Sequence, residues 1–228
     1  MSRIHPADQN RCHDMLLKEK AEEDAQVLLR PAVLTVWKRS SMTFQGTDGF
    51  TVFDHRGRLA FRVDNYSRKS SFITGSGGLV LMDGAGNALL TLKPQVLSMQ
   101  YQWNAYRGED KCGRNPNSKS KVFSMRSGSM LFHSSKDVEA IVMMGGQSDQ
   151  TPDFRIEGCF RRRNCKIKTR SGEMVAKIAR KRVNNKILLG DDVFTLAVQP
   201  GFDTQLIMAF VIILDRICVK PFAPVLCS

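Results

Sequence analysis

The strongest hydrophobic signal in the chain is a run of nine apolar residues at 206–214. A helix without a polar stripe is buried on every side, and nine residues are far fewer than the ~20 that span a bilayer. β-Branched residues in the run favour a strand, but Asp203 suits a helix N-cap and Arg216 complements the dipole at the C-terminal end. We therefore predict a helix over 202–218 that forms the core of a domain and does not anchor the chain in a membrane.

Three segments share one pattern, at 50–63, 79–92 and 165–178. They superpose on Gly57, Gly86 and Gly172, each preceded by Asp or Thr three positions earlier and flanked by alternating apolar residues. Such segments are typical of β-hairpins, and a two-residue loop ending in the glycine sets the register. The predicted pairs are Phe50 with Val63, Val52 with Phe61, Leu79 with Leu92, Leu81 with Leu90, Cys165 with Ile178, Ile167 with Ala176, and Thr169 with Met174.

Further short strands are predicted around these hairpins, and no helical pattern occurs among them before residue 203. Many short strands of this kind indicate an antiparallel barrel or sandwich. We divide the chain into a flexible N-terminal extension (1–30), one domain (31–221) with a polar loop insertion at 106–121, and a C-terminal tail (222–228). The additional strands are expected at 33–37, 70–75, 96–103, 129–134, 139–144, 153–160, 186–190 and 193–198.

Composition narrows the classes of function. Hydrophobic residues make up 42% of the 228 positions, which is enough for a substantial core. The six cysteines are irregularly spaced and no hydrophobic run follows Met1, so we expect reduced thiols and an intracellular location, in the cytoplasm, in the nucleus or peripheral at a membrane. We also expect a monomer. Cysteines and histidines lack zinc-ligand spacing, and Asp191 with Asp192 is too small a set for calcium. His133 and Ser134 are strand neighbours that point to opposite faces. We therefore expect no metal, no cofactor, no small-molecule substrate and no enzymatic activity.

The charge of the chain is concentrated in one stretch. Residues 155–186 contain twelve Lys or Arg against two Glu, which accounts for +10 of the net charge of +12. In the predicted register, the cations of the third hairpin lie opposite its apolar row, and two basic triplets flank the hairpin. A solvated basic face without a partner is the simpler alternative, and the concentration of charge makes a polyanion-binding face an equal one. The predicted anion-binding residues are Arg161, Arg162, Arg163, Lys166, Lys168, Arg170, Lys177, Arg180, Lys181 and Arg182.

Several segments resemble the LURP-one-related family of plants. They are FTLAVQPGFDTQLIMAFVIILDRI (194–217), FTVFDHRGRLAFRVDNY (50–66), LMDGAGNALLTL (81–92) and QWNAYRGE (102–109). The resemblance covers about residues 30–220, and its most specific part is the apolar helix with its preceding strand. It implies the fold of tubby C-terminal domains and phospholipid scramblases, a closed antiparallel barrel of about twelve strands around a central hydrophobic helix. The basic segment 161–182, the insertion at 106–121 and the extended N-terminus depart from the family pattern.

The nature of the polyanion separates three hypotheses. Tubby-like relatives bind phosphoinositides, so the resemblance implies anionic phospholipid as the ligand. The basic hairpin is the contact surface that the concentration of charge indicates. The alternative is a nucleic-acid contact, as a membrane-tethered transcription regulator, with the basic triplets serving as nuclear-import signals. Phe160 is the only aromatic residue in the basic stretch, which argues against stacking on bases. A third hypothesis is a protein-interaction scaffold in plant defence.

Overall fold

A computed structural model describes residues 30–39, 49–65, 78–95, 102–107, 120–128, 138–145, 151–183 and 187–219. These residues form twelve strands and one helix, α1. The helix is Thr204–Val219, and the strands are β1 Ala32–Arg39, β2 Gly49–Phe53, β3 Leu59–Asn65, β4 Leu79–Asp83, β5 Ala88–Pro94, β6 Gln102–Arg107, β7 Lys121–Ser127, β8 Val138–Met144, β9 Phe154–Cys159, β10 Asn164–Thr169, β11 Met174–Arg180 and β12 Val193–Val198.

The strands form one closed barrel in which each strand pairs with its neighbours in the chain and β1 closes the ring by pairing with β12. All pairs are antiparallel, with Ala32 of β1 opposite Val198 of β12 at one end of the closing pair. Closure leaves no unpaired strand edge, which open sheets must otherwise protect. The predicted closed barrel of about twelve strands is confirmed.

α1 fills the barrel. Every residue from 207 to 214 is at most 1% exposed, so the apolar run faces the wall all round. The Phe210 ring packs edge-on against Phe123, with centroids 4.8 Å apart, and lies 5.4 Å from Phe154. Asp203 caps the helix, since its Oδ1 accepts a hydrogen bond from the Gln205 N–H at 2.8 Å. The predicted core helix is confirmed. Within the described residues, no helix has both the length and the apolar character needed to cross a membrane.

The hairpin registers are confirmed away from the turns and differ next to them. Six of the seven predicted pairs are present, among them Phe50 with Val63 and Leu79 with Leu92. The exception is the pair next to the turn of the third hairpin. There the structure places Lys168 opposite Met174, because a register shift follows Ile167. Thr169 with Met174 is therefore wrong.

The register shift arises from the length of the loops. In the first hairpin the Asp54 N–H donates to the Arg58 carbonyl at 2.9 Å and the Gly57 N–H donates to the Asp54 carbonyl at 3.0 Å. Three residues thus lie in the loop, and Gly57 has a φ of 76°, as in a turn followed by a glycine bulge. The assumed two-residue loop is wrong. Asp54 Oδ1 also accepts the Arg56 and Arg58 N–H groups, which explains why Asp or Thr recurs three positions before the glycine.

Other predicted strands have mixed outcomes. Those at 33–37, 139–144, 153–160 and 193–198 lie within or largely coincide with β1, β8, β9 and β12. Of the segment 186–190, the described residues 187–190 are not a strand, and an isolated bridge joins Leu188 to Arg182. The strand predicted from 96 begins at Gln102 among the described residues, while Tyr106 and Arg107, assigned to the insertion, continue β6. The segments 1–29, 70–75, 129–134 and 222–228 lie outside the described residues, and the domain division stays a prediction.

Candidate anion-binding surface

Two lysines face each other directly on the outer wall of the barrel. Lys166 of β10 pairs with Lys177 of β11, and both side chains are exposed. Residues opposite each other in an antiparallel pair have Cβ atoms about 4.5–5.5 Å apart, and like charges there are destabilising. Glu157 of β9 lies on the other side of Lys166, but its carboxylate contacts Lys168 at 2.6 Å. The Lys166–Lys177 pair is thus a local repulsion that an external anion would relieve.

The other two cations of the hairpin have partners within the fold. Lys168 forms the ion pair with Glu157, and each of these side chains is about one-third exposed. Arg170 Nη2 donates to the Thr151 carbonyl at 2.9 Å and lies 3.4 Å from Asp153 Oδ1. Arg170 therefore fastens the β10–β11 turn to the segment before β9. Lys168 lies on the outer wall and Arg170 in the turn that follows β10, and the charges of both are partly compensated.

The first basic triplet occupies the turn between β9 and β10, where its three side chains have three different surroundings. Arg161 donates from Nε and Nη2 to the Cys218 carbonyl at 3.3 and 3.0 Å, which stabilises the C-terminal end of α1. Arg162 is exposed. Arg163 is only 7% exposed, which does not fit its prediction as an anion-binding residue.

Arg163 turns inward because its φ of 51° is in the left-handed region, which redirects the side chain at the end of the turn. Its guanidinium lies 4.3 Å from the centroid of Phe160 and 4.4 Å from that of Phe194. Nε donates to the Asp191 carbonyl at 2.9 Å. Burial lowers the pKa of Arg163, and the negative charge of Asp215 is the largest effect that opposes this shift. Arg163 thus joins the β9–β10 turn to β12 and is not available to a surface ligand.

This contrast predicts different effects for neighbouring arginines. Arg163→Ala should lower the free energy of unfolding by about 2 kcal/mol or more, because a desolvated cation–π contact is worth up to about that much and Arg163 makes two. Arg162→Ala should stay within about ±0.5 kcal/mol, as surface substitutions usually do. Urea denaturation of both variants measures the difference. Equal stabilities would contradict the inward placement of Arg163.

The second basic triplet lies where β11 ends. Arg180 Nη2 is 3.1 Å from Asp191 Oδ1, and Lys181 Nζ donates to Thr35 Oγ1 at 3.1 Å. Arg182 is exposed. Because neighbouring strands are antiparallel, the β9–β10 turn, the β11–β12 connection and the end of α1 share one end of the barrel, here called the upper end. Arg170 lies at the opposite end, roughly 20 Å away along β10, so the ten predicted residues do not form one cluster.

Sequence reasoning left one neighbouring cation out of the predicted set. Arg155 of β9 lies opposite Lys168 and is exposed. Its place beside the hairpin follows from the pairing of β9 with β10, which we did not predict. Arg155 extends the basic face by one strand.

The described cysteines Cys159, Cys165 and Cys218 are free thiols, and no group of three or more potential ligands among the described residues could hold a metal ion. Cys165 is 1% exposed, and burial, followed by the charge of Glu139, raises its pKa to about 12. Burial and a hydrogen bond from its Sγ to Glu139 Oε2 at 3.1 Å also raise the pKa of Cys218. Both groups are therefore protonated thiols at neutral pH, the unreactive form.

Thiol labelling tests this assignment. In a variant with Cys12, Cys112 and Cys227 replaced by Ser, a maleimide at neutral pH should leave Cys165 and Cys218 unmodified in the native protein. All three remaining thiols should react after denaturation, which mass spectrometry of peptides would show. Fast native labelling of Cys165 would contradict its burial, and a disulfide between Cys159 and Cys165 would contradict the free thiols.

The geometry defines a class: a closed antiparallel barrel filled by one apolar helix, with a basic outer face on β9 to β11. Comparison with known proteins then places the chain. Residues 32–215 match the LURP-one-related family, and the chain belongs to this family. This confirms the resemblance seen in the sequence.

Relatives and a solved structure agree with this placement. Protein LURP-one-related 5 of Arabidopsis thaliana is 38% identical over 186 residues, which cover 81% of this chain and 82% of that protein. Protein LURP-one-related 8 of the same plant is 32% identical over 219 residues, or 95% and 97% of the two chains. An X-ray structure of a protein from Arabidopsis thaliana, 21% identical, superposes with a TM-score of 0.57 over 83% of this chain and 92% of that chain. That likeness supports the fold.

Proposed function

We propose that the protein is a non-enzymatic module that binds anionic phospholipid surfaces through the outer face of β9 to β11. The observation that carries the proposal is the pair of exposed lysines, Lys166 and Lys177, held directly opposite each other. Nearby cations such as Lys168 and Arg180 are matched by carboxylates of the protein itself. A charge pair that costs the fold stability and has no such match is the kind of feature that a ligand site retains.

A membrane suits this surface better than a small anion. The exposed cations Arg155, Lys166 and Lys177 extend over three adjacent strands, so they form a broad face. Phospholipid headgroups present negative charge over a comparable area, and each basic residue near such a surface contributes about 1 kcal/mol. Phosphoinositides carry more negative charge per headgroup and should bind more tightly by the same reasoning.

The test removes the two opposed charges and leaves the ion pairs intact. Lys166→Gln with Lys177→Gln should weaken binding to phosphatidylserine vesicles at least about 30-fold, since roughly 2 kcal/mol of attraction is lost. The melting temperature should stay equal or rise slightly, because a like-charge pair is removed. Vesicle sedimentation and calorimetry measure the two quantities. Binding by the wild type should also fall steeply as salt rises, because exposed charges are screened over ~8 Å at physiological ionic strength.

A matched control makes the same charge change elsewhere. Lys93 is exposed on β5, across the barrel from β11, and Arg56 is exposed in the β2–β3 turn. Lys93→Gln with Arg56→Gln should leave vesicle binding within about twofold of the wild type, less than the contribution of one basic residue at the surface. Equal losses in both double variants would mean that net charge alone drives binding and would refute this site. Duplex DNA bound at the same salt, with no vesicle binding, would favour the nucleic-acid alternative.

A further inference from the structure

The β11–β12 connection carries apolar side chains that the fold leaves in water. Val183 is 64% exposed, Ile187 53% and Leu188 47%. The backbone around them is paired: the Val183 N–H donates to the Ile187 carbonyl at 3.1 Å, and the Leu189 N–H donates to the Lys181 carbonyl at 3.0 Å. The described residues on the two sides of this connection thus form a short antiparallel ladder at the upper end of the barrel, and these side chains are exposed on it. We call Val183, Ile187 and Leu188 the apolar tip.

Two exposed arginines, Arg162 and Arg182, lie at the same end of the barrel as the apolar tip, together with the exposed carboxylates of Asp191 and Asp192. Arg182 is paired with Leu188 in the bridge and is exposed, and Lys181 precedes it. Arg162 is exposed in the β9–β10 turn, which lies at the same end and is joined to the segment after the tip by the Arg163–Asp191 hydrogen bond. The tip therefore combines exposed apolar side chains with positive charge within one or two residues of them.

A tryptophan lies beside this region. Trp37 of β1 pairs with Val193, the first residue of β12, and is 49% exposed on the outer wall. The backbone N–H of the next residue, Lys38, donates to the Asp192 carbonyl at 2.7 Å, so β1 is fixed against the end of the β11–β12 connection. Trp37 and the apolar tip consequently share the upper end of the barrel, next to the second basic triplet.

We propose that the apolar tip inserts into the membrane when the basic face binds an anionic bilayer. The inference rests on the proposed function and adds the mode of contact. The transfer of branched aliphatic side chains out of water is favourable, and cations at their base reach the lipid headgroups. Tryptophan prefers the interface between the membrane and water. This order of apolar, basic and aromatic groups corresponds to the layers of a bilayer surface, where interfacial elements bury their apolar side ~5–10 Å deep.

The geometry allows the tip and the opposed lysines to act together. Lys181 follows β11 directly and is four residues from Lys177 along the chain. The Lys166–Lys177 pair therefore lies roughly 13 Å from the base of the apolar tip. A barrel tilted toward β10 and β11 would place Lys166 and Lys177 on the headgroups while the tip enters the acyl boundary. Insertion then fixes one orientation of the barrel, which charge attraction alone does not.

Tryptophan fluorescence reads insertion separately from binding. The chain has two tryptophans, and Trp103 is 4% exposed inside the barrel, so emission changes report Trp37. Phosphatidylserine vesicles with brominated acyl chains should shift the emission to the blue and quench it, and Trp37→Phe should remove the effect. Binding without quenching would overturn insertion and leave the proposed function standing. No binding to any anionic vesicle would overturn both.

A second measurement alters the tip itself. Val183→Ser with Leu188→Ser should weaken vesicle binding by about tenfold or more, because these aliphatic side chains no longer contribute free energy by entering the bilayer. The remaining binding should be more sensitive to salt. Leu59→Ser is the matched control, since Leu59 is 38% exposed at the opposite end of the barrel, and it should bind like the wild type. Unchanged binding by the folded tip variant, checked by thermal melting, would refute insertion.

Discussion

Ile212→Asp should prevent the protein from folding. Ile212 is 0% exposed at the centre of α1, so the new carboxylate would be buried without a partner. The substitution combines a lost apolar side chain with a buried charge and should cost more than about 5 kcal/mol, comparable with the ~5–15 kcal/mol that stabilises a typical domain. Circular dichroism and the yield of protein in the absence of detergent measure the result.

A conservative change at the same position is the control for Ile212→Asp. Ile212→Val removes one buried methylene and should cost about 0.5–1.5 kcal/mol while the barrel stays folded. If Ile212→Asp also stays folded and only leaves the membrane fraction of cells, α1 would be an anchor, and its place inside the barrel would be wrong.

The second large effect is expected at the ion pair that joins α1 to β1. Lys38 Nζ lies 3.0 Å from both carboxylate oxygens of Asp215, whose side chain is 2% exposed. Lys38→Met should destabilise the protein by about 3–5 kcal/mol, because a buried charge then loses its partner. Lys38→Met with Asp215→Leu should recover part of this loss, since neither charge remains. Equilibrium denaturation of the two single variants and the double variant gives the coupling energy.

An exposed ion pair provides the comparison. Lys168 and Glu157 are 2.6 Å apart, but their side chains are 31% and 32% exposed. Lys168→Met should therefore cost no more than about 1 kcal/mol, as is usual for a solvated pair. Similar losses for Lys38→Met and Lys168→Met would show that burial of Asp215 contributes nothing, contrary to the expectation.

The sequence patterns were sufficient for the hairpins and the core helix because local and global patterns agree, whereas the closed barrel of about twelve strands was expected from the family resemblance. The Asp or Thr three positions before a glycine fixes a turn, and the apolar rows on either side then fix which residues face the helix. The register error next to each turn has a local cause. A glycine in the left-handed region can end a two-residue or a three-residue loop, and the sequence pattern alone does not separate them.

The candidate site was predictable only in part. Strand alternation correctly placed Lys166 and Lys177 on the outer wall. It could not place Arg163, whose backbone leaves the strand conformation and whose ring partner Phe194 is on a distant strand. It also could not show that Glu157 neutralises Lys168, because that contact depends on the pairing of β9 with β10.

The apolar tip shows a further limit of hydrophobic patterns. Ile187 and Leu188 belong to a segment that we predicted as a strand because it is apolar. Hydrophobicity indicates that burial of a side chain is favourable, but it does not say whether the side chain is buried by the protein itself or by another surface. Burial in the folded chain separates these cases, and here the fold provides little cover.

The position of α1 in the chain has a consequence for folding. The helix that fills the barrel is the last described element, and β1 must pair with β12, which immediately precedes the helix. The wall therefore cannot close around its core until nearly the whole domain has left the ribosome. Contacts between distant parts of a chain slow folding, and incomplete β-structures expose edges that aggregate. A growing chain of this protein should consequently depend on chaperones until α1 has been synthesised.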